Sequence, residues 1–162
     1  MVLQEFNSDD ELIFEWDAWE HLDITDYDNL DLTMSTINWM HANSIEITND
    51  QNILISNRVS SEVIKINRES GEVSWHLGGP LNEFTVLNDL KNGFSMQHDV
   101  RILENGNITL FDNGVNHNPP ISRAVEFELD ESMKTANLIW EYTHPDSVLG
   151  CLLYTSPSPR DH

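Results

Sequence analysis

An internal repeat constrains this chain more than any other feature. One segment begins at His41 and reads HANSIEITNDQNILISNR, then SEVIKINRESGEVSWHL. A second begins at His98 and reads HDVRILENGNITLFDNG, then, after a longer polar loop, SRAVEFELDESMKTANLIWEY. Each holds a short strand after a histidine, a hairpin turning on Asn, Asp or Gly, a second strand, and another hairpin that closes on tryptophan. In EVIKIN, Val63, Ile64 and Ile66 surround Lys65, and Glu69, Ser70 and Gly71 supply a tight turn before the next strand. In the second segment RIL and ITLF flank Glu104 to Asn107, where Asn105 and Gly106 tolerate a positive φ. The stretch LIFEWDAWEHLD near the start matches the last strand of the unit, so Trp16, Trp75 and Trp140 recur at spacings of 59 and 65 residues. A repeated four-stranded meander buries both faces only by stacking on its neighbours, which predicts an all-β chain, a β-propeller fragment with enlarged blades. The expected content is the outer strand of one blade and two complete blades at about residues 41–79 and 98–142, within a partial propeller domain over 1–150. The tryptophans are expected to pack between blades. Closed propellers need at least four blades, so these strands do not close a ring and their exposed edges are expected to be adhesive.

Charge narrows the function. Among 162 residues, 28 Asp and Glu stand against 8 Lys and Arg, a formal net charge of −20 at pH 7. Such a chain lacks the basic footprint that grips phosphate backbones, which argues against a nucleic-acid partner. No apolar run reaches the roughly 18 residues of a membrane span, and no basic-then-apolar leader stands at the start, so membrane insertion is not expected. One cysteine, Cys151, excludes an internal disulfide framework and a multi-thiolate metal site. That cysteine opens CLLYTSPSPRD, a Ser/Pro-rich segment without hydrophobic period that resembles the translation of a transposase adapter used in sequencing libraries. Residues 151–162 are therefore read as a non-native tail and Gly150 as the last natural residue.

Candidate chemistry lies where the first strand of each unit starts. In a propeller that strand is nearest the axis, so His41 and His98, equivalent in successive units, are placed to share one cavity as nucleophile, general acid or base, or cationic donor. Arg58 and Arg123 follow the second strands, and their planar forks suit a carboxylate or sulfate. His117, in NGVNHNPP, is a weaker candidate of the same kind, while His21, His76 and His144 are expected to be structural. No histidine pair has the tight spacing of a zinc site, and no metal is expected. The sequon Asn107-Ile108-Thr109 lies in a hairpin strand and is discounted. The acidic TDYDNLDLTMS (25–35) and the connection 80–94 read as long loops of the kind that build binding faces.

NWMHANSIEI, ILISNR, VIKINRESGEVSWHLGG, FSMQHDVRIL, GNITLFDNG, SRAVEFELD and LIWEY resemble the aryl-sulfate sulfotransferase (arylsulfotransferase) family in order and spacing from about Leu12 to Pro145. The resemblance implies a six-bladed propeller, periplasmic or extracellular, that moves a sulfuryl group from a phenolic sulfate ester to a phenol acceptor through a histidine. It implies no cofactor and no nucleotide sulfate donor. By position, His41 in WMHANS and His98 in QHD match two active-site histidines of the family, with roles in sulfuryl stabilisation and proton transfer. The nucleophilic histidine is expected beyond Gly150. Many relatives carry an arginine shortly after FDNG where this chain has Val115, Asn116 and His117, so either His117 substitutes or Arg123 reaches in. The alternative is a non-catalytic extracellular propeller that binds a ligand or protein, and a quinone-cofactor propeller ranks below both. Fold alone does not choose among them. The sequence does not reach the identity of donor and acceptor, or the oligomeric state.

Overall fold

Wherever the apolar alternation breaks, a turn residue stands, and the strands between these breaks pair with their neighbours. The computed structural model describes residues 1–146 together with 149 and 150. The expected adapter-derived tail, 151–162, lies outside the described residues. A first hairpin joins β1 (Val2–Phe6) to β2 (Leu12–Asp17), followed by a one-turn helix α1 (Ala18–His21) and a 3-10 turn at Ile24–Asp26. A four-stranded meander follows in chain order: β3 (Ala42–Ile47), β4 (Ile53–Asn57), β5 (Glu62–Ile66) and β6 (Val73–Gly78). The third sheet takes β7 (Thr85–Leu87), β8 (His98–Ile102), β9 (Ile108–Asp112), β10 (Arg123–Asp130) and β11 (Thr135–Thr143) in the order β7-β11-β10-β9-β8. The chain is all-β in its regular architecture, and its sheets stack as successive blades of a β-propeller without closing a ring.

The middle blade shows why the stack holds. Pairing sets Ile53 opposite Ile66 and Ile55 opposite Ile64 on one face, and Leu54 opposite Lys65 and Ser56 opposite Val63 on the other. The isoleucine face packs on Trp16, Tyr27 and Trp39, and the second face packs with Trp75 and Leu77 on Val100, Ile108, Leu110, Val125 and Phe127 of the next blade. Burial of each such aliphatic side chain stabilises by about 1.5–3 kcal/mol, which is how a strand as short as EVIKI becomes buried along its whole length. Lys65, buried among them, keeps its charge by reaching Asp50 Oδ2 at 2.8 Å and Glu131 Oε1 at 2.7 Å. Trp16 and Trp75 are buried, and the Trp16 Nε1–H donates to Gly71 O at 2.9 Å across the blade boundary. Trp140 holds the corresponding place in the third sheet and is half exposed.

Two strands add to the expected set. The outer strand expected near the start is β2, and β1 pairs with it in a hairpin that sets Leu3 opposite Trp16 and Glu5 opposite Phe14. The connection 80–94 contains β7, which pairs in parallel with β11 through Thr85 and Thr135. Such non-local pairing leaves no local period, and here it covers the otherwise open edge of β11.

Candidate active site at the start of the inner strands

The inner strands β3 and β8 lie against each other across the boundary between the two complete blades. Side chains of the first motif hold the backbone of the second: Asn43 Nδ2 donates to Gln97 O at 2.8 Å, and Ser44 Oγ accepts from Val100 N–H at 3.0 Å. Gln97, fully buried, donates back through Nε2 to Ser56 Oγ, Asn57 O and Glu62 O at 3.0, 3.1 and 2.9 Å. WMHANS and QHD are thus clamped together, and the clamp sets His41 and His98 at the starts of neighbouring strands.

The two imidazoles differ in surroundings. His41 is exposed, sits in the left-handed region at φ 54°, and has the Asn38 amide nitrogen 3.3 Å from Nδ1. Its carbonyl accepts from Arg58 N–H at 3.1 Å, which brings the start of β3 beside the turn after β4. The half-buried Arg58 guanidinium forms no ion pair among the described residues, in a chain where carboxylates outnumber cations more than threefold. His98 is 2% exposed, its Nδ1 lies 2.7 Å from Asn113 Oδ1, and its buried Nε2 has no hydrogen-bond partner among the described residues.

Arg123 is placed differently from Arg58. Its Nε donates to Asp112 Oδ2 (2.9 Å), its Nη1 to Asp89 Oδ1 and Glu141 Oε2 (both 2.8 Å), and its Nη2 to Asp89 Oδ2 (2.8 Å) and Gly93 O (2.7 Å). All five guanidinium N–H groups are therefore satisfied within the protein, and none is left for a bound anion. Burial works against this charge, but the bonds to Asp89, Glu141 and Asp112 outweigh it and raise the guanidinium pKa above its ordinary value. Burial likewise works to raise the Asp89 pKa, and the Arg123 fork with the Lys91 and Gly93 amides outweighs it and lowers that carboxyl below the usual range. His117 is drawn into the same cluster, its Nε2 2.7 Å from Asp112 Oδ2.

The motif LFDNG is the frame of this region. Asp112 Oδ1 accepts from the Ser95 and Gly114 amides, both at 2.9 Å, while its Oδ2 faces Arg123 and His117. Gly114 has φ +63°, and a Cβ there would stand 1.7 Å from Ile121 O, so no other residue fits. Between them the 1%-exposed Asn113 turns its side chain to His98, and its carbonyl accepts from Ser122 Oγ at 2.8 Å.

The corresponding position in the middle blade uses the opposite charge. Glu62, opposite Asn57 as Arg123 is opposite Asp112, accepts from Tyr27 O–H at 3.1 Å and lies 2.7 Å from His76 Nδ1. Burial, then the Glu62 charge and hydrogen bond, push the Tyr27 pKa well above its ordinary value. Both long connections thus deliver an anchor to the next blade, Tyr27 to Glu62 and Asp89 to Arg123. His21 stacks on Trp16 at 5.3 Å, and His144 is exposed with Nδ1 3.8 Å from Asp146. Asn107 of the sequon is buried and donates to Glu126 Oε1 at 2.7 Å.

A family model described as arylsulfotransferase (ASST) matches residues 2–156. The chain belongs to the arylsulfotransferase family. It is 30% identical over 138 residues to the arylsulfate sulfotransferase AssT of Escherichia coli O6:H1 (strain CFT073), an alignment taking in 65% of this chain and 23% of that protein. The chain thus spans less than a quarter of the length of the curated relative it matches. In this member of the family, Gln97, Asp112, Asn113 and Asp89 do most of the holding. The first three stand inside the quoted motifs QHD and LFDNG, but nothing in the local pattern marks them as supports. Asp89 stands in a connection without any period. Among the described residues no helix is long and apolar enough to cross a membrane, and no cluster of three or more metal-ligating side chains occurs.

Proposed function

We propose that this chain supplies one wall of a sulfuryl-transfer site, in which His41, His98 and Arg58 act on a phenolic sulfate ester and a phenol acceptor. The observation that supports the reading is the pair of hydrogen bonds tying β3 to β8, at whose starts the two motif histidines stand, in a chain of the arylsulfotransferase family. Sulfuryl oxygens are anionic and the leaving phenolate gains charge as the S–O bond breaks. A guanidinium without an ion pair among the described residues, together with two imidazoles, compensates both. In this reading Arg58 is the anion clamp, and Arg123 and His117, held by Asp112, support the frame. The sulfuryl group rests on a nucleophilic histidine outside these residues, which splits one displacement into two. No cofactor or nucleotide sulfate donor takes part, and the protein works in the periplasm or outside the cell.

The test is a steady-state study of the protein at its full natural length with 4-nitrophenyl sulfate as donor and phenol as acceptor. Parallel double-reciprocal plots and a sulfated histidine peptide after acid-free digestion are expected. Absence of any donor cleavage across a panel of aryl sulfates would instead favour the non-catalytic binding propeller.

A further inference from the structure

We propose that Asn113 is a positioning residue that fixes the proton of neutral His98 on Nδ1, so that Nε2 is the nitrogen that accepts the proton of the phenol. This inference rests on the functional reading above and deepens it. A carboxamide oxygen can only accept, so the 2.7 Å contact between Asn113 Oδ1 and His98 Nδ1 requires the hydrogen to lie on Nδ1. The amide cannot turn over without loss. Its Nδ2 faces Gly150 O at 3.4 Å, and reversal would set two oxygens against each other.

The surroundings make this orientation rigid. Asn113 is 1% exposed and His98 2%, so water does not compete for the bond. On one side the Asp112 carboxylate is held by four donors. On the other Gly114 is locked against Ile121 O, and Ser122 Oγ donates to the Asn113 carbonyl. His98 Nε2, the remaining ring nitrogen, is buried with no hydrogen-bond partner among the described residues. His41 differs: it is exposed, and the Asn38 side-chain amide lies 3.3 Å from its Nδ1.

The step balances. As the phenol oxygen forms its bond to sulfur and the bond from sulfur to the carrier histidine breaks, the phenol proton passes to His98 Nε2. In the reverse half-reaction the resulting imidazolium returns a proton to the departing phenolate. A neutral amide oxygen accepts from Nδ1–H in both charge states, so it holds the ring through the cycle without trapping it as the imidazolium, as a carboxylate would.

Three variants of the full-length protein test this. His98→Ala should lower kcat by ~10²-fold or more. Asn113→Ala should lower kcat by a comparable factor with KM little changed. Asn113→Asp should keep the fold and shift the acidic limb of the kcat–pH profile to higher pH, because a carboxylate beside Nδ1 holds the imidazolium. Nitrogen-15 NMR of the wild-type ring should assign the neutral tautomer to Nδ1–H. If His98→Ala keeps full activity, the functional reading fails. If His98→Ala is inactive but Asn113→Asp leaves the pH profile unmoved, or the ring carries its proton on Nε2, the positioning role alone is overturned.

Discussion

Arg58, directly after β4, is free of ion pairs among the described residues, whereas Arg123, at the start of β10, has no donor left. Partner burial decides what each substitution costs. Asp89 and Asp112, which face Arg123, have side chains no more than 1% exposed, so their charges depend on that guanidinium. Arg123→Lys keeps a charge but loses the planar fork, and we expect a loss of about 3–5 kcal/mol on urea unfolding, because buried carboxylates are left without hydrogen bonds. The same cluster gives stability an acid limit. The folded pKa of Asp89 lies below its unfolded value of about 3.9, so the stabilisation is complete above that pH and is lost as pH falls through the folded value. Acid unfolding monitored by tryptophan fluorescence should therefore show stability falling below about pH 4, with a shallower fall in Arg123→Lys.

Between elements, polar side chains set the register that the apolar faces leave open. The two faces of the middle blade were legible in Val63, Ile64 and Ile66 around Lys65, since alternation is a local signal. Gln97 was not legible as a clamp, because its three acceptors, Ser56, Asn57 and Glu62, come from a different blade about forty residues earlier. β7 was hidden for the same reason, as its pairing partner β11 lies far along the chain. Gln97→Ala should destabilise by about 2–3 kcal/mol, since it strips buried acceptors of their donor and leaves a cavity. It should also lower activity more than its unfolding curve explains, because the start of β8 loses its tie to β4. Lys65→Ala is the comparison: its partners Asp50 and Glu131 are about half exposed, so water replaces the ion pairs and activity should be kept.

At the scale of the molecule, the repeat and its tryptophan spacing carried the fold, and the motif histidines carried the candidate site. The supports of that site were less visible, since Asn113 and Asp112 act through contacts that only the folded chain creates. The outer faces of the stack expose Val2, Phe6, Leu12 and Ile13 at one end and Trp140 and Tyr142 at the other. Apolar surface of this extent on both ends fits a stack that continues, and aqueous isolation of these residues alone favours association. Function is therefore best read in the full-length protein. The most direct measurement is the pre-steady-state release of 4-nitrophenolate from 4-nitrophenyl sulfate by that protein, compared with His41→Ala and His98→Ala. The account predicts a burst approaching one equivalent per active site in the wild type and at least a ~10²-fold slower burst in each variant. An undiminished burst in both variants would contradict it.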